Sequence, residues 1–216
     1  DQLTMRALRR ERIESEADFP REVAELQRLL VPHQPDQQVI AVPGSGTEVP
    51  IWLLGSSLFS ARLAAERGLP YSFASHFAPA MLLQAIELYR RNFRPSLKLA
   101  QPYVMIGVPV IAAESDDEAD YLASSTYQRV LGILRGDRRP LPRPIAGFLA
   151  GLHPQERSRI ADFLGAAVIG GPDTVRDGLL ALKEATKADE MILVSDVFDP
   201  ALRQRSLEIT AGFFAH

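Results

Sequence analysis

Cysteine is absent from this chain of 216 residues, which excludes disulfides, thiolate catalysis and cysteine-based zinc sites. A reducing cytoplasm fits that absence, so we expect a cytoplasmic protein. No apolar run approaches the roughly 20 residues that span a bilayer, and we expect no membrane partner. The net charge of −3 shows no basic excess, which argues against nucleic acid as a partner. None of the histidines has metal-ligand spacing, so no metal site is expected.

Strand-like apolar runs alternate with helical patterns along most of the chain. Predicted strands cover residues 51–54, 71–75, 103–112 and 191–194. Predicted helices cover residues 2–12, 18–31, 57–67, 79–93, 115–135, 172–187 and 202–214, with an exposed loop at 136–144 and an irregular, mostly helical stretch at 145–167. This alternation is typical of an α/β fold with parallel strands and right-handed crossovers.

The turn between the first predicted strand and its helix is the most informative segment. Gly55, Ser56 and Ser57 gather hydroxyls and backbone N–H groups where the strand ends and the helix begins. A helix N-terminus carries partial positive charge and unpaired donors, so it suits a phosphate group. An ordinary serine cap is the commoner explanation of the same pattern. The turn itself contains no lysine or arginine.

Three other polar features have a functional and a structural interpretation. His76 follows the second predicted strand, so it either faces a pocket or is a loop histidine without a role. The acidic run 116–118 could attract a metal, but Ser115 and Glu118 have capping-box spacing, and we favour capping. The segment 170–172 could form a second anion loop, but it is more often a tight turn with proline in the first helical turn.

The chain resembles the bacterial-luciferase-like family of flavin-dependent oxidoreductases. The resemblance rests on four passages in order, at residues 50–70, 71–77, 170–175 and 188–194. It covers nearly the whole chain but only the C-terminal part of the family's usual length. It implies a partial (β/α)8 TIM barrel containing the last four β/α units, in one luciferase-like domain over residues 1–216 that lacks the N-terminal half of the barrel.

The resemblance also implies a cofactor and a site. It matches Gly55, Ser56, Ser57 and Ser60 to the flavin-phosphate site, with Ser57 as the best single match, and gives His76 a hydrogen bond to flavin or substrate. The implied activity is that of a flavin-dependent monooxygenase or oxidoreductase, in which reduced FMN and oxygen act on a small organic substrate. NAD(P)H is a candidate reductant, and some members use a deazaflavin instead of FMN. The family's catalytic residues on early strands have no counterpart here, so we expect weak FMN affinity and no turnover from this portion alone.

Two alternatives remain open from the sequence: a noncatalytic flavin-binding or structural remnant, and a phosphosugar enzyme that uses Ser56 and Ser57 for its substrate's phosphate. Four parallel strands leave two open edges, so we expect a second copy of the chain or the missing N-terminal half as a partner. We also expect unusual exposure, or a contact between chains, along the lining of the incomplete barrel. The residues assigned to that lining are Ile51, Leu53, Phe73, Val104, Ile106, Ile192 and Val194.

Overall fold

The computed structural model describes residues 18–35, 37–137 and 139–213, so the predicted helix at 2–12 lies outside the described residues. The chain divides into two compact units, residues 1–51 and 52–216. This division does not test the prediction of a single luciferase-like domain, which stays a prediction.

The first unit contains the predicted second helix, α1 (Phe19–Leu30), which has Pro20 in its first turn and buries Val23. Proline suits this position because the first helical N–H has no partner within the helix. Residues 37–42 form no strand, and a turn follows them, with Ser45 N–H donating to the Ala41 carbonyl at 2.6 Å.

The second unit consists of a parallel sheet and the helices that connect its strands. Its strands are β1 (Leu53–Gly55), β2 (Tyr71–Phe73), β3 (Val104–Ala112), β4 (Val168–Gly170) and β5 (Glu190–Val194). Its helices are α2 (Leu58–Arg67), α3 (Leu82–Asn92), α4 (Asp116–Leu134), α5 (Pro154–Phe163), α6 (Pro172–Thr186) and α7 (Pro200–Ala211), with short 3-10 turns at Pro79–Met81 and Phe148–Gly151. The structure therefore confirms all four predicted strands and the α/β class.

The long strand β3 holds the sheet together. It pairs with β2 through residues 104–106, with β5 through residues 105–109 and with β4 through residues 110–112, always in parallel. Among the described strands, Pro109 pairs with Val194 of β5 and has no partner on its other side, as a residue without a backbone N–H requires. Among the described strands, β1 pairs only with β2, so the sheet is open and does not form a closed ring.

The two faces of the sheet differ sharply in exposure. Successive residues of a strand point to opposite faces. Leu53, Tyr71 and Val104 share one register level on the buried face, with 4%, 0% and 0% exposure. The other face has Leu54 at 66% and Ile192 at 53% exposure. We call this second side the open face; its members in β1, β3 and β5 are Leu54, Met105, Gly107, Pro109, Glu190, Ile192 and Val194.

The prediction about the barrel lining is therefore wrong for part of its set. Leu53, Phe73, Val104 and Ile106 are at most 4% exposed and form part of the core, while Leu54, left out of the prediction, is exposed. The error comes from the pairing register, which places these four residues on the face opposite Ile192 and Val194. Exposure of Ile192 and Val194 is confirmed.

The predicted helix boundaries have local causes that the structure confirms. Helix α2 ends at Gly68, which has the left-handed φ of 59° and donates its N–H to the helix carbonyls. Helix α4 begins at the N-cap Ser115, whose hydroxyl accepts from Glu118 N–H at 3.2 Å. The Glu118 carboxylate accepts from Glu114 N–H, one residue before the N-cap, and not from the Ser115 N–H that a complete capping box would use. In the part of the chain that the structure describes, no helix is both long and apolar enough to cross a membrane.

Candidate functional site

The predicted site residues follow the carboxyl ends of neighbouring parallel strands. Ser56 and Ser57 follow β1, and His76 comes three residues after the end of β2. Ala74 N–H donates to the Gly55 carbonyl at 2.9 Å, which joins the two loops at their base. In parallel α/β folds this edge is where loops build active sites, because helix N-termini and strand ends meet there.

The turn after β1 presents an uncapped helix N-terminus. Ser57 occupies the N-cap position of α2 with extended backbone, and its side chain makes no capping hydrogen bond. Ser57 is exposed and Ser56 is half-buried. The first N–H groups of a helix have no acceptor within it, so this end of α2 offers both a hydroxyl and backbone donors to an anion. The residues present therefore fit a phosphate group, although the turn supplies no cation.

Ser60 has a structural role that the sequence did not reveal. Its buried hydroxyl donates to the Ser57 carbonyl at 2.9 Å and lies 3.4 Å from the Tyr71 hydroxyl. Burial raises the pKa of Tyr71 to about 12, with the Ser60 hydrogen bond opposing that rise. Ser60 thus connects the N-terminus of α2 to Tyr71 of strand β2.

Gly55 is needed at the end of β1 for a packing reason. A Cβ added there would lie 2.1 Å from the Ser60 Oγ and 2.4 Å from its Cβ. The sequence predicts that this glycine lets the backbone approach a phosphate; what the structure shows at Gly55 is the close approach of Ser60. Its role beside a phosphate stays a prediction.

His76 lies against the open face of the sheet. Its ring packs over Gly107, where an added Cβ would be 2.9 Å from the His76 Nδ1, and its centroid is 4.2 Å from that of Phe77. The Nδ1 atom is buried and has no hydrogen-bond partner. Ser75 anchors the loop by donating its hydroxyl hydrogen to the Gly107 carbonyl. His76 is therefore a half-buried residue on the same face as Ile192, at the carboxyl side of the sheet.

The segment at 170–172 already has an anionic partner within the protein. The Asp116 carboxylate accepts the Gly171 N–H at 2.6 Å, and this bond, with a second from the Thr174 side chain, lowers the pKa of Asp116. The favoured interpretation of this segment, a tight turn with proline in the first helical turn, is confirmed, and Asp116 occupies the Gly171 donor that a second anion loop would need. No cluster of three potential metal ligands occurs within residues 18–35, 37–137 and 139–213.

One charged pair near the same edge was missed from the sequence. Asp196, just after β5, forms an ion pair with Arg129 of α4, and the Asp196 carbonyl accepts from the Thr126 hydroxyl at 3.2 Å. The partners are 67 residues apart in sequence, and neither lies in a recognisable motif. Only the packing of α4 beside the end of β5 brings them together.

Comparisons with known proteins agree with this architecture. The family described as luciferase-like monooxygenase matches residues 2–189. The Bacillus subtilis protein YvbT is 46% identical over 98% of this chain and 63% of its own length. An Escherichia coli protein named luciferase-like monooxygenase is 43% identical over 97% of this chain and 62% of its own length.

The crystal structure of apo-MsnO8 superposes with a TM-score of 0.78 at 29% identity, and the match covers 96% of this chain and 63% of that one. The chain thus spans a little over three fifths of the length of these relatives. The family match over most of the sequence, the parallel open sheet and the structural likeness agree. The chain belongs to the luciferase-like monooxygenase family.

Proposed function

We propose that this chain is the flavin-binding portion of a flavin-dependent monooxygenase, with the phosphate of FMN held at the N-terminus of α2. The observation that carries the proposal is the free Ser57 hydroxyl at an uncapped helix tip, on the carboxyl edge of a parallel sheet. When bound, reduced FMN supplies the electrons with which oxygen oxidises a small organic substrate.

The residues of the turn have separate tasks in this proposal. Ser57 and the first backbone N–H groups of α2 hydrogen-bond the phosphate. Ser60 fixes the helix tip by donating to the Ser57 carbonyl, and Gly55 leaves the space that Ser60 requires. Ser56, half-buried beside Ser57, supplies a second hydroxyl to the phosphate.

His76 and the open face form the floor on which the flavin ring or the organic substrate lies. The imidazole packs against Gly107 and beside the Phe77 ring, so it is positioned before any ligand arrives. Leu54 and Ile192 add exposed apolar surface to this side of the sheet. Covering such a surface excludes water from the reacting groups.

The open face also favours a macromolecular partner. A second copy of the chain or an N-terminal half-barrel would cover Leu54 and Ile192, which are 66% and 53% exposed. The phosphate carries about two negative charges, and the turn after β1 contains no cation to balance them. The same partner would supply that cation.

The proposal is tested by titrating FMN into the chain and following the flavin absorption spectrum. We expect binding that Ser57→Ala weakens and that Ser158→Ala, at an exposed position on α5, leaves unchanged. Equal FMN affinity in both variants and the unmodified chain would contradict the assignment of the phosphate to Ser57. Titration with a deazaflavin cofactor in parallel determines which flavin is preferred.

A separate measurement decides between catalysis and binding alone. Oxygen uptake with NAD(P)H and FMN, by this chain together with an N-terminal half-barrel, is the result expected of a monooxygenase. Flavin binding with no substrate-dependent oxygen uptake would instead support the noncatalytic alternative. A phosphosugar that displaces FMN, with no flavin chemistry, would support the phosphosugar alternative.

A further inference from the structure

A cavity of about 750 Å³ lies between α4, the segment that follows it, and helix α5. Its apolar lining includes Phe77, Leu131, Phe148 and Phe163. Phe77 is 68% exposed, which is unusual for a phenylalanine ring on a folded protein. The volume lies within the range of small-molecule sites, and aromatic lining of this kind suits a ring system.

The cavity wall carries guanidinium groups, which can donate hydrogen bonds to an anion. Among the described residues, three guanidinium groups line it, those of Arg129, Arg135 and Arg139, and one carboxylate lines it, that of Asp137. Arg139 pairs with Asp137 at 2.9 Å, and Arg129 and Arg135 pair with Asp196 and Glu156, so each of these guanidinium groups already has one carboxylate partner. A guanidinium has five N–H donors, so the donors outside these ion pairs are what the cavity wall offers to an anion.

We propose that this cavity is a binding site for an aromatic molecule with one carboxylate, distinct from the phosphate site at α2. The ring packs among the phenylalanines, and the carboxylate accepts hydrogen bonds from Arg135 and Arg139. Both guanidinium groups are well exposed, with 59% and 79% of their side-chain surface accessible, so each has donors free of its internal ion pair. A guanidinium can bind a planar carboxylate with two parallel hydrogen bonds, which gives the site a preferred orientation of its ligand.

The site is built by contacts that hold the following segment against α4. Gln128 donates to the Arg143 carbonyl at 2.9 Å, and Ile145 N–H donates to the Ser124 hydroxyl at 2.7 Å. Arg135 also pairs with Glu156, which connects the end of α4 to α5. The cavity is therefore part of a supported arrangement in the described chain.

The test is a calorimetric titration of the chain with 2-naphthoate, and with 2-naphthylmethanol as the neutral molecule of similar shape. We expect 2-naphthoate to bind about tenfold more tightly than 2-naphthylmethanol, because the alcohol lacks the carboxylate that accepts a charge-assisted hydrogen bond. The double variant Arg135→Gln with Arg139→Gln should remove that preference. These exposed ion pairs contribute little to folding, so the urea midpoint should hardly change. Unchanged binding of 2-naphthylmethanol to the variant should show that the cavity survives loss of the pair between Arg135 and Glu156.

A matched control changes the net charge by the same amount elsewhere. Arg91→Gln with Arg176→Gln removes two exposed arginines that pair with Glu87 and Asp173, and neither lines the cavity. Preference for naphthoate retained in this control and lost in the cavity variant supports the site. Three results would overturn the site: no binding of naphthoate, equal binding of naphthoate to all variants, or loss of naphthoate binding in both double variants. No flavin takes part in these titrations, so their outcome is separate from that of the proposed phosphate site.

Discussion

Replacing Gly55 by alanine tests the packing that shapes the tip of α2. The new Cβ would lie 2.4 Å from the Ser60 Cβ, which side-chain rotation cannot move away. Relief to an ordinary contact of at least 3.4 Å requires the helix to shift by about 1 Å. That shift would disturb the 2.9 Å bond between the Ser60 hydroxyl and the Ser57 carbonyl. Overpacking of this kind costs about 1–3 kcal/mol of unfolding free energy.

The assay is urea unfolding followed by circular dichroism, with Gly151→Ala as the control. Nothing lies within 4 Å of the position where a Cβ at Gly151 would be, so its unfolding free energy should change by less than about 0.5 kcal/mol. Ser60→Gly alone should be destabilising, because it removes a hydrogen bond and places glycine in a helix.

The double variant Gly55→Ala with Ser60→Gly is decisive, because it removes the clashing atoms. We expect it to be more stable than the sum of the single effects predicts, by about 1–2 kcal/mol. Strict additivity, or a Gly55→Ala variant as stable as Gly151→Ala, would refute the packing explanation of this glycine.

Three further predictions concern the sheet and two titrating groups. Leu53→Ala should cost about 2–5 kcal/mol of unfolding free energy, and Leu54→Ala less than about 0.5 kcal/mol, because of the two only Leu53 is buried. Equal losses of stability in urea unfolding would contradict the assigned faces. The pKa of Asp116 is lowered by folding, so its contribution to stability is present above its unfolded pKa and is lost as the pH falls through its folded pKa. Asp116→Asn should therefore flatten the acid limb of the stability profile, and an unchanged limb would argue against the Gly171 bond. The pKa of Tyr71 is raised to about 12, so its contribution is complete below its unfolded pKa and is lost as the pH rises through about 12. Tyr71→Phe should remove one late-titrating phenol from the absorbance titration at alkaline pH, and a profile that keeps it would contradict the buried position.

The sequence predicts the order of strands and helices well, because local chemistry determines it. The nine-residue apolar run at 104–112 indicates a buried strand by itself. Ser115, Gly68 and Pro79 mark helix boundaries by their own capping or backbone preferences. Strand β4, Val168–Gly170, was missed although it is as long as β1. Strand β1 lies in the longer apolar run 51–54, whereas β4 has only alanine and glycine on both sides and runs directly into a helix.

The assignment of faces could not be made reliably from the sequence. Leu53 and Leu54 are equally apolar, so a strand of three residues gives no signal of which side is buried. Only the pairing register with β2 and β3 decides it. A large apolar residue on the open side is what an incomplete barrel requires, and it looks identical to a core residue in the sequence.

The placement of two candidate site residues was predicted. The resemblance indicated Ser57, and the position after the second predicted strand indicated His76; the structure places both at the carboxyl edge. The role of Ser60 as a tie between Ser57 and Tyr71 depends on the angle at which α2 leaves β1. The pair between Arg129 and Asp196 depends on helix packing across 67 residues, and no local pattern encodes either contact.

The central claim is that the tip of α2 grips the phosphate of a flavin, and the affinities for FMN and riboflavin test it most directly. Riboflavin has the same ring system and lacks the phosphate. We expect the chain to bind FMN about tenfold or more tightly than riboflavin, and Ser57→Ala to reduce that ratio while leaving riboflavin affinity unchanged. Equal affinities in the unmodified chain, or a ratio that Ser57→Ala does not alter, would contradict the account.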